Sequence, residues 1–136
     1  MNLLKIYQIV GSGLLAQRVR LNIAATNIAN SQVTRTVEGG PYRAKVVVLK
    51  ATPISEKYPE LKAVKIEKIA DDPSPFKEVY DPGHPDADER GIVKYPNVDV
   101  ITEMVELLSA GRAYEANLTV LSTAKSMILR TLDLLK

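Results

Sequence analysis

Between Val100 and Leu135 the apolar residues of this chain recur in an unbroken alternation of four and three, and no proline interrupts them. The stripe runs Val100, Met104, Leu107, Gly111, Tyr114, Leu118, Leu121, Lys125, Ile128, Leu132, Leu135, and only Gly111 and Lys125 are not apolar fillers. Such spacing places one row of side chains along one face of an α-helix. The stem of Lys125 can snorkel along that row. Pro96 and Asn97 mark the start, Asp99 or Asn97 is placed to cap it, and Glu103 and Glu106 sit near the favourable end of the helix dipole. At ~1.5 Å per residue this helix is on the order of 55 Å long. A globule of 136 residues cannot wrap such a helix. It must project, or lie along another long helix.

A second helix is written at the other end. Leu3, Tyr7, Val10, Leu14, Leu21, Ala24 and Ile28 follow the same alternation, with Gln17 in the remaining slot, and no proline precedes Pro41. Asn27, Asn30 and Ser31 suit its end, because Asn tolerates a left-handed exit. Residues 1–30 carry Lys5, Arg18 and Arg20 and no acid, whereas residues 97–136 are slightly acidic, so the two helices are electrostatically complementary. Several asparagines lie on these helices although Asn is a mediocre helix former. Buried amides at Asn27 and Asn117 would fix register between packed helices.

Seven of the eight prolines fall in the middle, about residues 31–95. They break up short runs rich in Val, Ile and Tyr at 42–49, 63–69, 76–80 and 91–95, which are strand candidates. The expected fold class is therefore α+β: two long terminal helices (1–30 and 96–136) forming an antiparallel coiled-coil-like pair, with a small irregular β region (31–95) between them. Hydrophobic residues make up 46% of the chain but aromatics only 5%. That balance suits helix–helix packing better than an aromatic-lined ligand pocket.

The chemistry-bearing patterns are weak. Gly11-Ser-Gly13-Leu-Leu-Ala16 matches a dinucleotide fingerprint, but the helical stripe runs through it and no acid lies about 20 residues on, where a ribose-binding carboxylate belongs. Gly11 and Gly13 instead suit close helix packing. The acidic loop from Asp81 to Gly91 fails as a calcium loop, since Arg90 and Asn97 stand where ligands of an EF-hand are needed. His84 is the only histidine and there is no Cys, so thiol chemistry and Cys-based zinc sites are excluded. Basic and acidic residues interleave with a net charge of +2, which gives no stripe for nucleic acid. The chain is expected not to be an enzyme, with no cofactor, metal, nucleic-acid or small-molecule partner. No run approaches a membrane span. The first ten residues lack the form of a cleaved signal, because Lys5 interrupts the apolar run.

Periodicity alone allows a soluble coiled-coil module that pairs with a partner helix. Longer motifs narrow the choice. Leu21-Asn-Ile-Ala-Ala-Thr-Asn-Ile-Ala-Asn30 resembles the N-terminal signature of bacterial flagellar rod and hook proteins. Gly39-Gly-Pro-Tyr-Arg-Ala-Lys-Val-Val-Val48, Val79-Tyr-Asp-Pro-Gly-His-Pro-Asp-Ala-Asp88, Tyr95-Pro-Asn-Val-Asp-Val100 and the run from Arg112 to Met127 follow in order, and together they resemble the proximal rod proteins of that family. The chain departs from the pattern at Gly111, where Ser is common, and at Ser31-Gln-Val-Thr34. The resemblance implies a structural subunit of the helical basal-body rod that transmits torque. It implies export, without a cleaved signal, through the flagellar type III apparatus to the periplasm. Partners would be copies of itself and other rod proteins. The helices would form the inner coiled-coil layer, with the β region outside. Subunit contacts are then expected at Leu14, Leu21, Ala24, Asn27, Ile28 and Asn30 on the first helix. On the second they are expected at Met104, Leu107, Gly111, Tyr114, Asn117, Leu118, Leu121 and Ile128.

Overall fold

The computed structural model describes residues 3–136. Helix α1 spans Leu3–Ala29 and helix α2 spans Val100–Leu134, with strands β1 (Lys45–Pro53), β2 (Lys62–Asp71), β3 (Lys77–Tyr80) and β4 (Ile92–Tyr95) between them. Each strand overlaps one Val/Ile/Tyr-rich run of the sequence. The fold is α+β, with the two helices antiparallel.

The caps follow local chemistry. At the start of α2, Asp99 Oδ1 accepts the backbone N–H groups of Ile101 (3.0 Å) and Thr102 (3.3 Å), which satisfies two orphan donors of the first turn. Asn97 faces the other way, into the β region. The exit of α1 differs from the expected left-handed Asn, since no described residue other than glycine has positive φ. The turn closes instead through Ser31 N–H to Ile28 O (3.2 Å), and the Asn30 side chain donates to Thr26 O (2.8 Å).

The strands form two separate antiparallel hairpins, β1–β2 and β3–β4. An isolated hairpin is marginally stable, so each must be held by something else. The first is held along α1. Asn27 bonds to Lys45 at the hairpin base, and Val64, opposite Ala51, donates its N–H to Ser12 Oγ (3.0 Å). The fifteen residues from Ser12 to Asn27 rise about 22 Å on the helix, and the six steps from Lys45 to Ala51 span about 20 Å on the strand. The two elements therefore keep step. Near the tip, the Lys5 ammonium lies 3.4 Å from the centre of the Tyr58 ring, a cation–π contact. A bulge between Val48 and Leu49 shifts the register on the way.

The second hairpin encloses the acidic loop. Gly91 has φ +77, and a Cβ there would meet Tyr80 and Pro82 at 3.0 Å, so only glycine closes this turn. Val93, Pro96 and Val98, around β4, are among the most buried side chains. Lys77 Nζ donates to Val98 O (2.6 Å), tying β3 to the lead-in of α2. Among the described helices and strands, α2 packs against α1 alone, while α1 carries both α2 and the first hairpin.

Candidate assembly interface

The helix pair keeps one heptad set of each expected stripe and rotates away from the other. On α2, Leu107, Tyr114, Leu121 and Ile128 are half-buried, as the four–three spacing implies. The residues that complete the inward row are Ala110, Asn117 and Ala124, each one position before Gly111, Leu118 and Lys125. Leu118, Lys125 and Met104 are exposed. On α1, Val10, Gly13, Ala16, Ala24 and Asn27 are buried, whereas Leu14, Leu21 and Ile28 flank the row half-buried. Small residues win these positions because the helices approach closely, and a large side chain there has nowhere to go.

Two contacts set the register. A Cβ on Gly13 would lie 3.1 Å from Asn117 Nδ2, so glycine on α1 admits an amide from α2. A Cβ on Gly111 would lie 3.9 Å from Leu21 Cδ2, which is ordinary contact. Gly11, its partner in the apparent nucleotide motif, has open space around it. Only Gly13 therefore serves close packing. The charge complementarity of the helices is realised by Arg20, whose Nη2 and Nε reach Glu106 Oε1 at 2.6 and 2.7 Å. This pair is half-exposed and contributes at most about 1 kcal/mol.

Asn27 serves both neighbours of α1, because its side chain hydrogen-bonds the Glu103 carboxyl on α2 as well as the β region. It is buried and binds the β region: its Oδ1 accepts from the Tyr42 hydroxyl (2.9 Å) and the Lys45 N–H (3.0 Å), and its Nδ2 donates to Lys45 O (2.9 Å). Burial raises the Tyr42 hydroxyl above its ordinary pKa. Burial also raises the Glu103 carboxyl on α2, an effect that the Asn27 amide opposes and that Glu106, Asp72 and Asp99 reinforce. Asn97 does the matching work from the other side, with Oδ1 accepting the Ala44 N–H (2.8 Å) and Nδ2 donating to Asp72 O and Ser74 O.

The acidic loop is structural too. Asp86 accepts from Thr34 Oγ1 (2.7 Å) and pairs with Arg35, binding the segment after α1 to the second hairpin. The Thr34 hydrogen bond is the main reason its carboxyl titrates below the usual range. Asp88 accepts the N–H groups of Ile92 and Arg90, which lowers it as well. His84 Nδ1 accepts the Asp86 N–H (3.0 Å). Among the described residues no three His, Asp or Glu side chains gather as a metal-binding group.

The surface left over is apolar and lies on the helices. Ile101, Met104, Val105 and Leu108 stand exposed on α2, and Leu4 and Leu15 on α1. Leu129, Leu132, Leu134 and Leu135 are exposed where α2 runs on. Contiguous exposed apolar surface of this kind marks interaction sites. No described helix is long and apolar enough to cross a membrane.

This architecture, a helix pair with an exposed apolar surface and a β region docked on one helix, defines a structural assembly subunit. Residues 89–134 match the family model described as the C-terminal region of flagellar basal body rod proteins FlgE, FlgF and FlgG. The flagellar basal-body rod protein FlgC of Yersinia enterocolitica is 47% identical over 134 residues, 98% of each chain. The FlgC protein of Salmonella typhimurium is 48% identical with the same coverage, and that of Borreliella burgdorferi is 38% identical over 152 aligned positions, covering 100% of this chain and 99% of its own. The chain belongs to the FlgC family of flagellar basal-body rod proteins. That membership favours the rod subunit over the soluble coiled-coil module.

Proposed function

We propose that this chain is a structural subunit of the flagellar basal-body rod and performs a mechanical task. The supporting observation is the exposed apolar surface along both faces of a helix more than thirty residues long, on a chain whose relatives are named as rod proteins. Each subunit contributes α1 and α2 to the shaft, and the β region sits outside them. Burial of apolar surface is worth roughly 25 cal/mol per Å², so neighbouring subunits gain by covering these stripes. Torque passes through the stacked helix pairs, which resist bending because their side chains interlock.

The partners are copies of this chain and other rod proteins. The seam positions Leu14, Leu21, Ile28, Asn30, Met104, Gly111 and Leu118 lie on or beside the flanks of the helix pair and are the candidates for contact between subunits. Ala24, Asn27, Leu107, Tyr114, Asn117, Leu121 and Ile128 shape those faces from within. Export proceeds through the flagellar type III apparatus without a cleaved signal, and the protein works in the periplasmic part of the basal body.

Removal of residues 3–28 tests this reading. Cells with that deletion should build no rod and lose swimming, and the intact chain should be recovered in isolated basal bodies. Swimming cells that carry the deletion would refute it.

A further inference from the structure

Two apolar patches occupy opposite ends and opposite sides of α2. The first is a helical stripe at i, i+3, i+4 and i+7, namely Ile101, Met104, Val105 and Leu108, each between 54% and 75% exposed. It points away from the row Leu107, Ala110 and Tyr114 that meets α1. The second lies beyond the first described residues of α1. The contacts of Gly13 with Asn117 and of Leu21 with Gly111 fix an antiparallel register that puts Leu3 level with about residue 127. Past that level the α1-facing row continues as Leu132 and Leu135, with Leu129 beside it, all 53–79% exposed.

From the structure we infer that these patches are the two halves of one contact between copies. The C-terminal turns of α2 in one copy dock on the N-terminal stripe of α2 in the next. The inference rests on the rod-subunit reading above and supplies its polarity. A single copy cannot join its own patches, because residues 104 and 132 lie about 42 Å apart on one rigid helix. Charge selects this pairing over like with like. The stripe end carries Asp99 and Glu103, beside a Glu106 already paired with Arg20 of α1, and α2 has no Lys or Arg before Arg112. The other end carries Lys125 and Arg130, while Lys136 is paired with Asp133. A contact between two different patches is heterologous, so it propagates from copy to copy instead of closing on a dimer.

The chain has no cysteine, so introduced thiols report on this contact alone. Full-length Met104→Cys and Leu132→Cys variants are purified, concentrated and oxidised, singly and mixed, with thermal melts to confirm that both fold. A Leu108→Cys and Leu129→Cys pair serves if either does not. The mixture should form disulfide-linked dimers and neither variant alone should, and a chain carrying both thiols should give a ladder of multimers. Dimers from either variant alone would show an isologous contact and overturn the inference, as would folded variants that never cross-link. The rod reading is judged separately, because variants that restore swimming without cross-linking would leave it standing.

Discussion

Asn27 and Asn97 receive two consecutive backbone N–H groups, those of Lys45 and Ala44, at 3.0 and 2.8 Å. One amide comes from the last turn of α1 and the other from the lead-in to α2. The start of β1 is thus clasped by both helices at one end of the pair. Asn27→Ala would leave the Lys45 N–H and C=O and the Tyr42 hydroxyl without partners. A loss of about 3 kcal/mol is expected, since each stranded buried polar group costs roughly 1–3 kcal/mol. Asn97→Ala should cost less, because its other partners are nearer to water. Chemical denaturation of the two variants measures the difference, and equal midpoints with the parent chain would contradict the clasp.

Gly13 and Asn117 make a second testable pair. Gly111→Ala should stabilise the free chain by up to about 1 kcal/mol, because α2 gains helix propensity and the new methyl meets only Leu21 at ordinary distance. Gly13→Ala should lose that gain by pushing on the Asn117 amide. Combining Gly13→Ala with Asn117→Ala should restore it. A double-mutant cycle with no coupling between the two positions would show that the amide does not fix the register.

The difference between these glycines marks where the sequence stopped being readable. Gly11 and Gly13 look alike in the chain, and only the paired helices distinguish them. The helices themselves were legible, because a four–three rhythm without proline admits little else, and the strands were legible as β-branched runs cut by Pro53, Pro59, Pro73 and Pro75. The phase of the stripe was not. Leu118 is a more apolar choice than Ala110 or Ala124, yet the inward row takes the alanines and the asparagine between them, because close approach rewards small volume over hydrophobicity. Asn97 read equally well as a helix cap, and the choice depended on where Asp99 and the Ala44 N–H came to lie in space. The exposed stripe of Ile101, Val105 and Leu108 carried a visible signal, an i, i+4, i+7 spacing. It is overlooked when one seam per helix is sought.

Glu103 gives a pH prediction of definite sign. Burial holds its carboxyl above the ordinary value of 4.5, so the folded state binds its proton more tightly than the unfolded state does. Glu103 therefore withholds stability at neutral pH and returns it as pH falls through its raised value. Glu103→Gln should raise the melting temperature at pH 7, and the gain should vanish below about pH 4, where the parent carboxyl is protonated in both states. Asp72, Asp86 and Asp88 act in the opposite direction. Hydrogen bonds hold them below the ordinary value of 3.8, so their stabilisation is present above that pH and is lost as pH falls through their lowered values. Acid unfolding of the Glu103→Gln variant should thus remain, driven by these aspartates. A melting curve parallel to that of the parent chain from pH 3 to 7 would count against the assignment.

Ser12 holds the far half of the first hairpin to α1. Its hydroxyl accepts the Val64 N–H at 3.0 Å and donates to Ile9 O at 2.7 Å, so one side chain joins the helix to an edge of the sheet. Ser12→Ala removes the acceptor and gains some helix propensity in exchange. The expected global cost is therefore small, about 1 kcal/mol or less. The local effect should be larger. Hydrogen exchange at Val64 should accelerate, and the tip around Tyr58 should loosen with it, because the tip lies beyond Val64 on the same hairpin and is met there by the Lys5–Tyr58 contact. Exchange at Lys45 and Ala44 should not change, since Asn27 and Asn97 are untouched. If the whole hairpin, base included, exchanged faster in Ser12→Ala, the two attachments would be one cooperative unit and the stepwise docking along α1 would be wrong.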